Sequence, residues 1–311
     1  MILTVTPHGA IDRLLFVDVL TPGTTMRCER YLDCVGGKGF DTSVALSHLG
    51  VETLALGFVG GRRGHQLVAL FDEYGVQHDL VWVEGELRLS HVIVESRQHR
   101  HSHIITGVLP VDEQAIDDLF ARLEKHLPRA KWVIGGGSLP PGASTGFYRR
   151  LVASCRAAGV PVLLDIMGPP ALATLDIPPD VLKMNRQEFA RTFDLPTSSL
   201  EDLSEKAPAL LQEYHLPALV LTLGREGILA FTEEGSWHAR PPRLEAVNAA
   251  GAGDAASAAI AWRRSRRDDW PQTLRWAAAV SAAAVLTERT ADLVYEEAED
   301  LLSQVQLTPL T

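Results

Sequence analysis

The sequence predicts an α/β fold whose mostly parallel central sheet is covered by helices on both faces. Strand-like and helix-like segments alternate through most of the chain, the order that lays crossover helices against parallel strands. Two strand-rich stretches break that rhythm and predict a second, smaller sheet. With 311 residues, 46% of them apolar, the chain has ample material for a full core.

Taken in order, "ILTVT" reads as the opening strand. "RLLFVDVLTPGTTMRCERYLDCV" carries strand-like pieces around a Pro-Gly turn. "DTSVALSHLG" reads as a helix ending at Gly50, "TLALGFV" as a strand, and "HQLVALFDEYG" as a helix closed by glycine. "HDLVWVEGELRLSHVIVESRQHRHSHIIT" holds several strands with no helix between them. There follow the helix "DEQAIDDLFARLEKHL", the strand "KWVIGG", the helix "FYRRLVASCRAAG" and the strand "PVLLDI". "VLKMN" leads into the helix "RQEFARTF", and the helix "EDLSEKAPALLQEY" into the strand "ALVLTL". From Asp254 to about Val305 helices dominate.

The two strand-rich stretches, about 13–35 and 79–106, are separated in the chain but can meet as one small sheet. Such a sheet is expected to form a lid over the carboxyl ends of the parallel strands, where open α/β sheets bind ligands. No linker, repeat or low-complexity tract interrupts the sequence, so 1–311 reads as a single domain.

A net charge of −10 argues against nucleic acid as a main partner, because neutralising phosphates needs a basic surface. An acidic chain can still hold a phosphorylated small molecule if cations are gathered in the site. Cys28, Cys34 and Cys155 are sparse and show no zinc spacing, which fits reduced thiols in the cytoplasm. "MILTVTPHGAIDR" lacks the character of a signal peptide, and "WAAAVSAAAVL" is too short to span a bilayer. A soluble cytoplasmic protein without membrane partners is the expectation.

Residues 248–262, "NAAGAGDAASAAIAW", set two glycines and an aspartate before a strong helix former. Asp254 falls in the first turn, beside amides that lack intrahelical partners. It is either a favourable helix-start carboxylate or a base at the edge of an anion hole made by Gly251, Ala252 and Gly253. "VGGKGFDTSVALSHLG" is no P-loop, since no Ser or Thr follows Lys38. It is either a tight turn or a close backbone approach to a polyhydroxy ligand. "GFVGGRRG" lacks dinucleotide-fingerprint spacing. "GGGSLPPG" stands where a sheet-end ligand loop belongs, and "LTLGREGILAF" suits backbone contact with a nucleotide, although each can be a plain turn.

In this order, "GGKG", "GSLPPG", "KMNRQE", "LTLGREG" and "GAGD" resemble the signatures of the ribokinase-like (PfkB) family of sugar kinases. The resemblance runs from Thr4 to about the last helix. "GSLPPG", "NRQE" and the opening "TPHGAID" look most like the branch of 1-phosphofructokinases and tagatose-6-phosphate kinases. It implies a three-layer α/β/α sandwich with a small β lid. It also implies transfer of the γ-phosphoryl group of ATP, with Mg2+, to a hydroxyl of a sugar or sugar phosphate. It leaves room for a monovalent cation and for a homodimer formed through the lid.

The resemblance assigns roles residue by residue. Asp254 matches the catalytic base, and the amides of Gly251, Ala252 and Gly253 match the anion hole. Asn185 and Glu188 match the "NxxE" pair, Asn185 toward the nucleotide and Glu188 toward magnesium through waters. Thr222, Gly224 and Gly227 match the nucleotide loop. Asp12 matches the aspartate that holds sugar hydroxyls, and Gly37, Lys38 and Asp41 align with "GGKGxN". Arg88 aligns with an arginine that contacts the acceptor's existing phosphate, and Lys38 and Arg88 together are expected to hold that phosphate from the lid side.

There are departures from the pattern. Asp41 replaces asparagine, removing an amide donor and adding charge near any bound phosphate. Ala249 and Ala255 stand where hydroxyl residues are common, Met184 replaces a proline, and His8-Gly9 replaces Asn-Pro. If Asp41 pairs with Lys38, an unphosphorylated acceptor is favoured. The leading expectation is a kinase of a phosphorylated ketohexose. The alternatives are a kinase of an unphosphorylated sugar or nucleoside, and a catalytically weak sugar-binding or regulatory protein on the same scaffold. His99, His101 and His103 would share a face on a strand, but a hairpin tip in the lid is expected, with no metal site.

Overall fold

The structure, a computed structural model, describes residues 1–310 apart from 29, 96, 98, 99, 196 and 198. The chain opens with β1 (Ile2–Thr6), β2 (Ala10–Val17), β3 (Arg30–Gly36) and helix α1 (Lys38–His48). Next come β4 (Thr53–Val59), α2 (Gly61–Glu73), and the two-residue strands β5 (Gln77–His78) and β6 (Val81–Trp82). The hairpin of β7 (Arg88–Glu95) and β8 (Arg100–Thr106) leads to α3 (Glu113–His126) and β9 (Trp132–Gly136). Then follow α4 (Phe147–Ala157), β10 (Val162–Asp165), the single turn α5 (Pro169–Leu172) and β11 (Val181–Asn185). After α6 (Arg186–Phe193) and α7 (Leu200–Tyr214) come β12 (Ala218–Thr222), β13 (Ile228–Thr232) and β14 (Gly235–Arg240). The last elements are α8 (Ala252–Ser265), α9 (Trp270–Ala284), α10 (Tyr295–Leu302) and β15 (Gln306–Pro309).

The main sheet runs β15-β14-β13-β12-β11-β10-β9-β1-β4-β5, with β6 also on β4. Pairing is parallel from β4 through β12 and antiparallel from β12 to β15. Side chains alternate between two cores, as strands covered on both faces require. Leu3, Val133, Leu164, Leu182 and Leu219 join the core beneath α3, α4, α6 and α7. Ile2, Ile134, Leu163, Val181 and Val220 join the core beneath α8 and α9. The alanine-rich faces of α8 and α9 let these helices pack closely, and Trp262 meets Trp276 edge-on with ring centres 5.0 Å apart. The mostly parallel, three-layered α/β architecture is the one the sequence predicts.

A separate four-stranded sheet runs β3-β2-β7-β8. It draws on both strand-rich stretches, although β2 starts at Ala10 rather than near residue 13. Residues 77–82 pair with β4 at the edge of the main sheet instead of joining the small one. The histidine expectation also changes. His101 and His103 lie within β8, opposite Val94 and Val92, so they share one face instead of capping a hairpin; His99 lies outside the described residues. The antiparallel strands β14 and β15 at the end of the sheet are not marked in the sequence, because β14, "GSWHAR", is polar and β15 follows helices. No helix among the described residues is long and apolar enough to cross a membrane.

Candidate active site

Strands β1, β9, β10, β11 and β12 all end on one side of the sheet, and the segments after β11 and β12 carry Asn185, Glu188, Thr222, Gly224 and Gly227. The α8 start faces this rim. Gly251 caps the helix with φ of 81°, a left-handed conformation natural to glycine. A Cβ there would come within 2.3 Å of the Ala291 amide nitrogen. The Gly251 carbonyl accepts from the amides of Asp254 and Ala255, at 3.0 and 2.9 Å. The amides of Ala252 and Gly253 lie in the first turn, where no earlier helical carbonyl is in reach. Directly below, the Lys183 Nζ lies 3.3 Å from where a Gly253 Cβ would stand. An anion at this turn meets helix-end amides and an ammonium together.

Lys183 is almost fully buried, and its Nζ donates to Oδ2 of Asp165 at 2.5 Å. Asp165 ends β10, is equally buried, and accepts on Oδ1 from Lys38 Nζ at 2.7 Å. Ser257 of α8 adds a longer contact to Asp165 Oδ2, at 3.3 Å. Burial alone would raise the Asp165 pKa, but Lys183 and Lys38 overcome it and hold the carboxyl at about 2. Neither Asp165 nor Lys183 was singled out from sequence. The available signal was a charged residue inside each of two apolar strand runs, "PVLLDI" and "VLKMN".

Asp254 is half-buried at the mouth of this cluster. Burial and the Asp165 charge push its pKa up to about 7, against the pull of Lys183 and Lys38. That is a suitable value for a base working near neutral pH. Asn185 caps α6 by accepting from the Glu188 amide at 2.8 Å, and Glu188 reaches back to the Asn185 amide at 2.9 Å, a capping box. The other Glu188 oxygen accepts from Lys38 Nζ at 2.7 Å. Thr222 is the register partner of Asn185, so the 222–227 loop adjoins the α6 start. Gly224 opens its single 3-10 turn, and Gly227 closes it with φ of 98°, where a Cβ would strike the Ala239 carbonyl.

The acceptor candidates gather on the other side of Asp254. Asp12 on β2 lies beside Gly36, and its carboxyl is pushed up to about 6 by burial, against the pull of Arg88. Asp41 is buried in the first turn of α1 and accepts from the Gly37 amide at 3.1 Å. Arg88 donates from Nε to the Gly9 carbonyl and from Nη2 to the His8 carbonyl. His8 meets Ser138 of the "GSLPPG" loop at 3.2 Å, and burial and Arg88 lower its pKa to about 4.

One expectation about the cations is therefore corrected, and one alternative is not seen. Lys38 and Arg88 do not converge, because Lys38 turns toward Asp165 and Glu188 while Arg88 stays with the 8–9 carbonyls. Lys38 also does not pair with Asp41. Two carboxylates, Asp165 at the end of β10 and Glu188 in the first turn of α6, outcompete one carboxyl already bonded to the Gly37 amide. The "GFVGGRRG" turn is closed to ligands, since the Glu86 carboxylate accepts from the amides of Arg62 and Arg63 at the α2 start. A cavity of about 740 Å³ lined by Lys131, Arg264 and Asp269 contains none of these loops. Chemistry, rather than cavity size, locates the site.

Known proteins are similar to this chain in sequence and fold. The description "pfkB family carbohydrate kinase" matches residues 7–297. The 1-phosphofructokinase of Vibrio cholerae serotype O1 is 28% identical, covering 99% of this chain and 97% of that protein. A D-tagatose-1-phosphate kinase of Klebsiella oxytoca is 27% identical over the full length of both. Phosphofructokinase-2 of Escherichia coli, solved in complex with potassium, superposes with a TM-score of 0.87 at 21% identity, covering 97% and 98% of the two chains. The fold is thus ribokinase-like, and the chain belongs to the pfkB family of carbohydrate kinases, phosphotransferases that act on an alcohol group.

Proposed function

We propose that this chain is an ATP-dependent kinase of a phosphorylated ketohexose, resembling 1-phosphofructokinase, with Asp254 as its general base. The observation that carries the reading is the position of Asp254 between two unlike clusters. On one side lie the α8 amides with Lys183 and Lys38, suited to the phosphates of a nucleotide. On the other lie Asp12, Asp41 and Arg88, suited to a hydroxylated acceptor. Asp254 takes the proton of the acceptor hydroxyl, while the amides and ammoniums stabilise charge on the transferred group. The 222–227 loop borders the nucleotide side.

Asp165 and Glu188, two carboxylates that converge on Lys38 beside the α8 start, would hold magnesium through retained waters. When bound, the ion supplies neutralisation of phosphate charge. The names of the two relatives support a phosphorylated acceptor, and the ketohexose 1-phosphates they name replace tagatose 6-phosphate as the leading comparison. An unphosphorylated acceptor is favoured by one observation, that Lys38 is turned away from Arg88. The small sheet that carries Asp12 and Arg88 acts as the lid, and a homodimer through it belongs to the same reading. Acceptor-dependent ADP release across fructose 1-phosphate, tagatose 1-phosphate, fructose 6-phosphate and the free sugars tests it. Release with phosphosugars supports the proposal, release with free sugars alone supports the second reading, and no release with any sugar overturns both.

A further inference from the structure

We propose that Asp41 works as a neutral carboxylic acid, donating a hydrogen bond from Oδ1 to a hydroxyl of the acceptor. Its two oxygens are in unlike settings. Oδ2 accepts from the Gly37 amide at 3.1 Å, which fixes that atom as an acceptor. Oδ1 is buried and has no partner among the described residues, in a side chain only 4% exposed. An ionised oxygen left there without a donor carries the full cost of desolvation. The same oxygen bearing a proton needs only an acceptor, and a sugar hydroxyl is one.

The surroundings keep the proton in place. Asp254 faces Asp41 from α8 and Asp12 from β2, and both disfavour a further negative charge. Arg88 from β7 opposes them, but two of its nitrogens are committed to the His8 and Gly9 carbonyls. Cys34 on β3 is a buried thiol whose pKa burial pushes up to about 12, and His8 is neutral, so neither adds a cation. Lys38, on the same helix, is held by Asp165 and Glu188. Burial and the two carboxylates therefore hold the Asp41 pKa well above the usual carboxylate range. A protonated Asp41 also places no charge against an acceptor phosphate, so the substitution of Asp for Asn at this position does not count against a phosphosugar.

The identity of the ligand rests on the kinase reading above, whereas the proton on Asp41 does not, and the test separates them. Acceptor KM is followed against pH for the wild type, Asp41→Asn and Asp41→Ala, beside infrared spectra of the ligand-free enzymes. The wild-type KM should rise about 3- to 10-fold on the alkaline side, the worth of one neutral hydrogen bond, as Asp41 ionises. Asp41→Asn, which keeps a donor, should lose that rise, and Asp41→Ala should show a raised KM at every pH. Beyond the bands of Asp254 and Asp12, which ionise at about 7 and about 6, the wild type should carry a protonated-carboxyl carbonyl band that persists above neutral pH, fades in stronger alkali and is missing in Asp41→Asn. An alkaline rise that survives in Asp41→Asn, or spectra of wild type and Asp41→Asn that do not differ above neutral pH, overturns the proposal. If no sugar is turned over, the kinase reading fails, and the infrared band still decides where the proton sits.

Discussion

Lys38 Nζ lies 2.7 Å from Asp165 Oδ1, joining residues 127 positions apart in the chain. This contact ties the first residue of α1 to the end of β10. Asp165 also holds Lys183, so one buried carboxylate positions two ammoniums beside the α8 amides. A carboxylate in that role is both a structural and an electrostatic element of the site.

Asp165→Asn leaves Lys183 buried without its counter-ion, and should cost about 3–5 kcal/mol of stability, as breaking a buried pair does. Denaturant unfolding measures this. The Asp165 pKa is depressed from 3.8 to about 2, so its contribution is present above about pH 4 and fades as pH falls toward 2. The gap between wild type and variant should close over that interval, and a gap independent of pH argues against the linkage.

Asp254→Asn should lower kcat by about 100- to 10,000-fold, the range typical of a general base. Nucleotide affinity should change far less, because the Gly251–Gly253 backbone and Lys183 remain. With the Asp254 pKa raised to about 7, the base is ionised only above that value, so wild-type kcat should fall as pH drops below it. Loss of this acidic limb in the variant's residual activity is the check on the assignment.

Glu188→Gln preserves the capping box, since a glutamine oxygen can still accept from the Asn185 amide. It removes one of the two carboxylates on Lys38. The magnesium concentration for half-maximal rate should rise, with a smaller effect on acceptor KM. An unchanged magnesium titration places Glu188 outside the ion's surroundings.

Arg88→Ala should weaken a phosphosugar by about one to two decades, corresponding to roughly 1.5–3 kcal/mol for a hydrogen bond to a charged group. The unphosphorylated counterpart should lose much less. The variant also frees the His8 and Gly9 carbonyls, so melting curves must accompany the kinetics. Equal losses for both acceptors turn the assignment toward an unphosphorylated sugar.

The sequence by itself determined the order of elements, the parallel character of the sheet and the glycine turn at 251–254. These follow from periodicity and backbone freedom, which depend on near neighbours in the chain. The five ordered motifs, four of them glycine-containing, also disclosed the family, because their order survives in one dimension. Only the tertiary structure decided where the charges point. Asp165 and Lys183 are 18 residues apart, yet they are register partners on adjacent parallel strands, and that adjacency is set by the strand order of the whole sheet. Lys38 lies near Asp41 in sequence, but the end of β10 and the first turn of α6 offer it two carboxylates in a buried setting, where ion pairing is strongest. The edge strands β14 and β15 depend likewise on each other and on β13, so neither is marked by its own residues. Local pattern fixes backbone shape, and a buried charge takes its partner from whatever the assembled sheet places within reach.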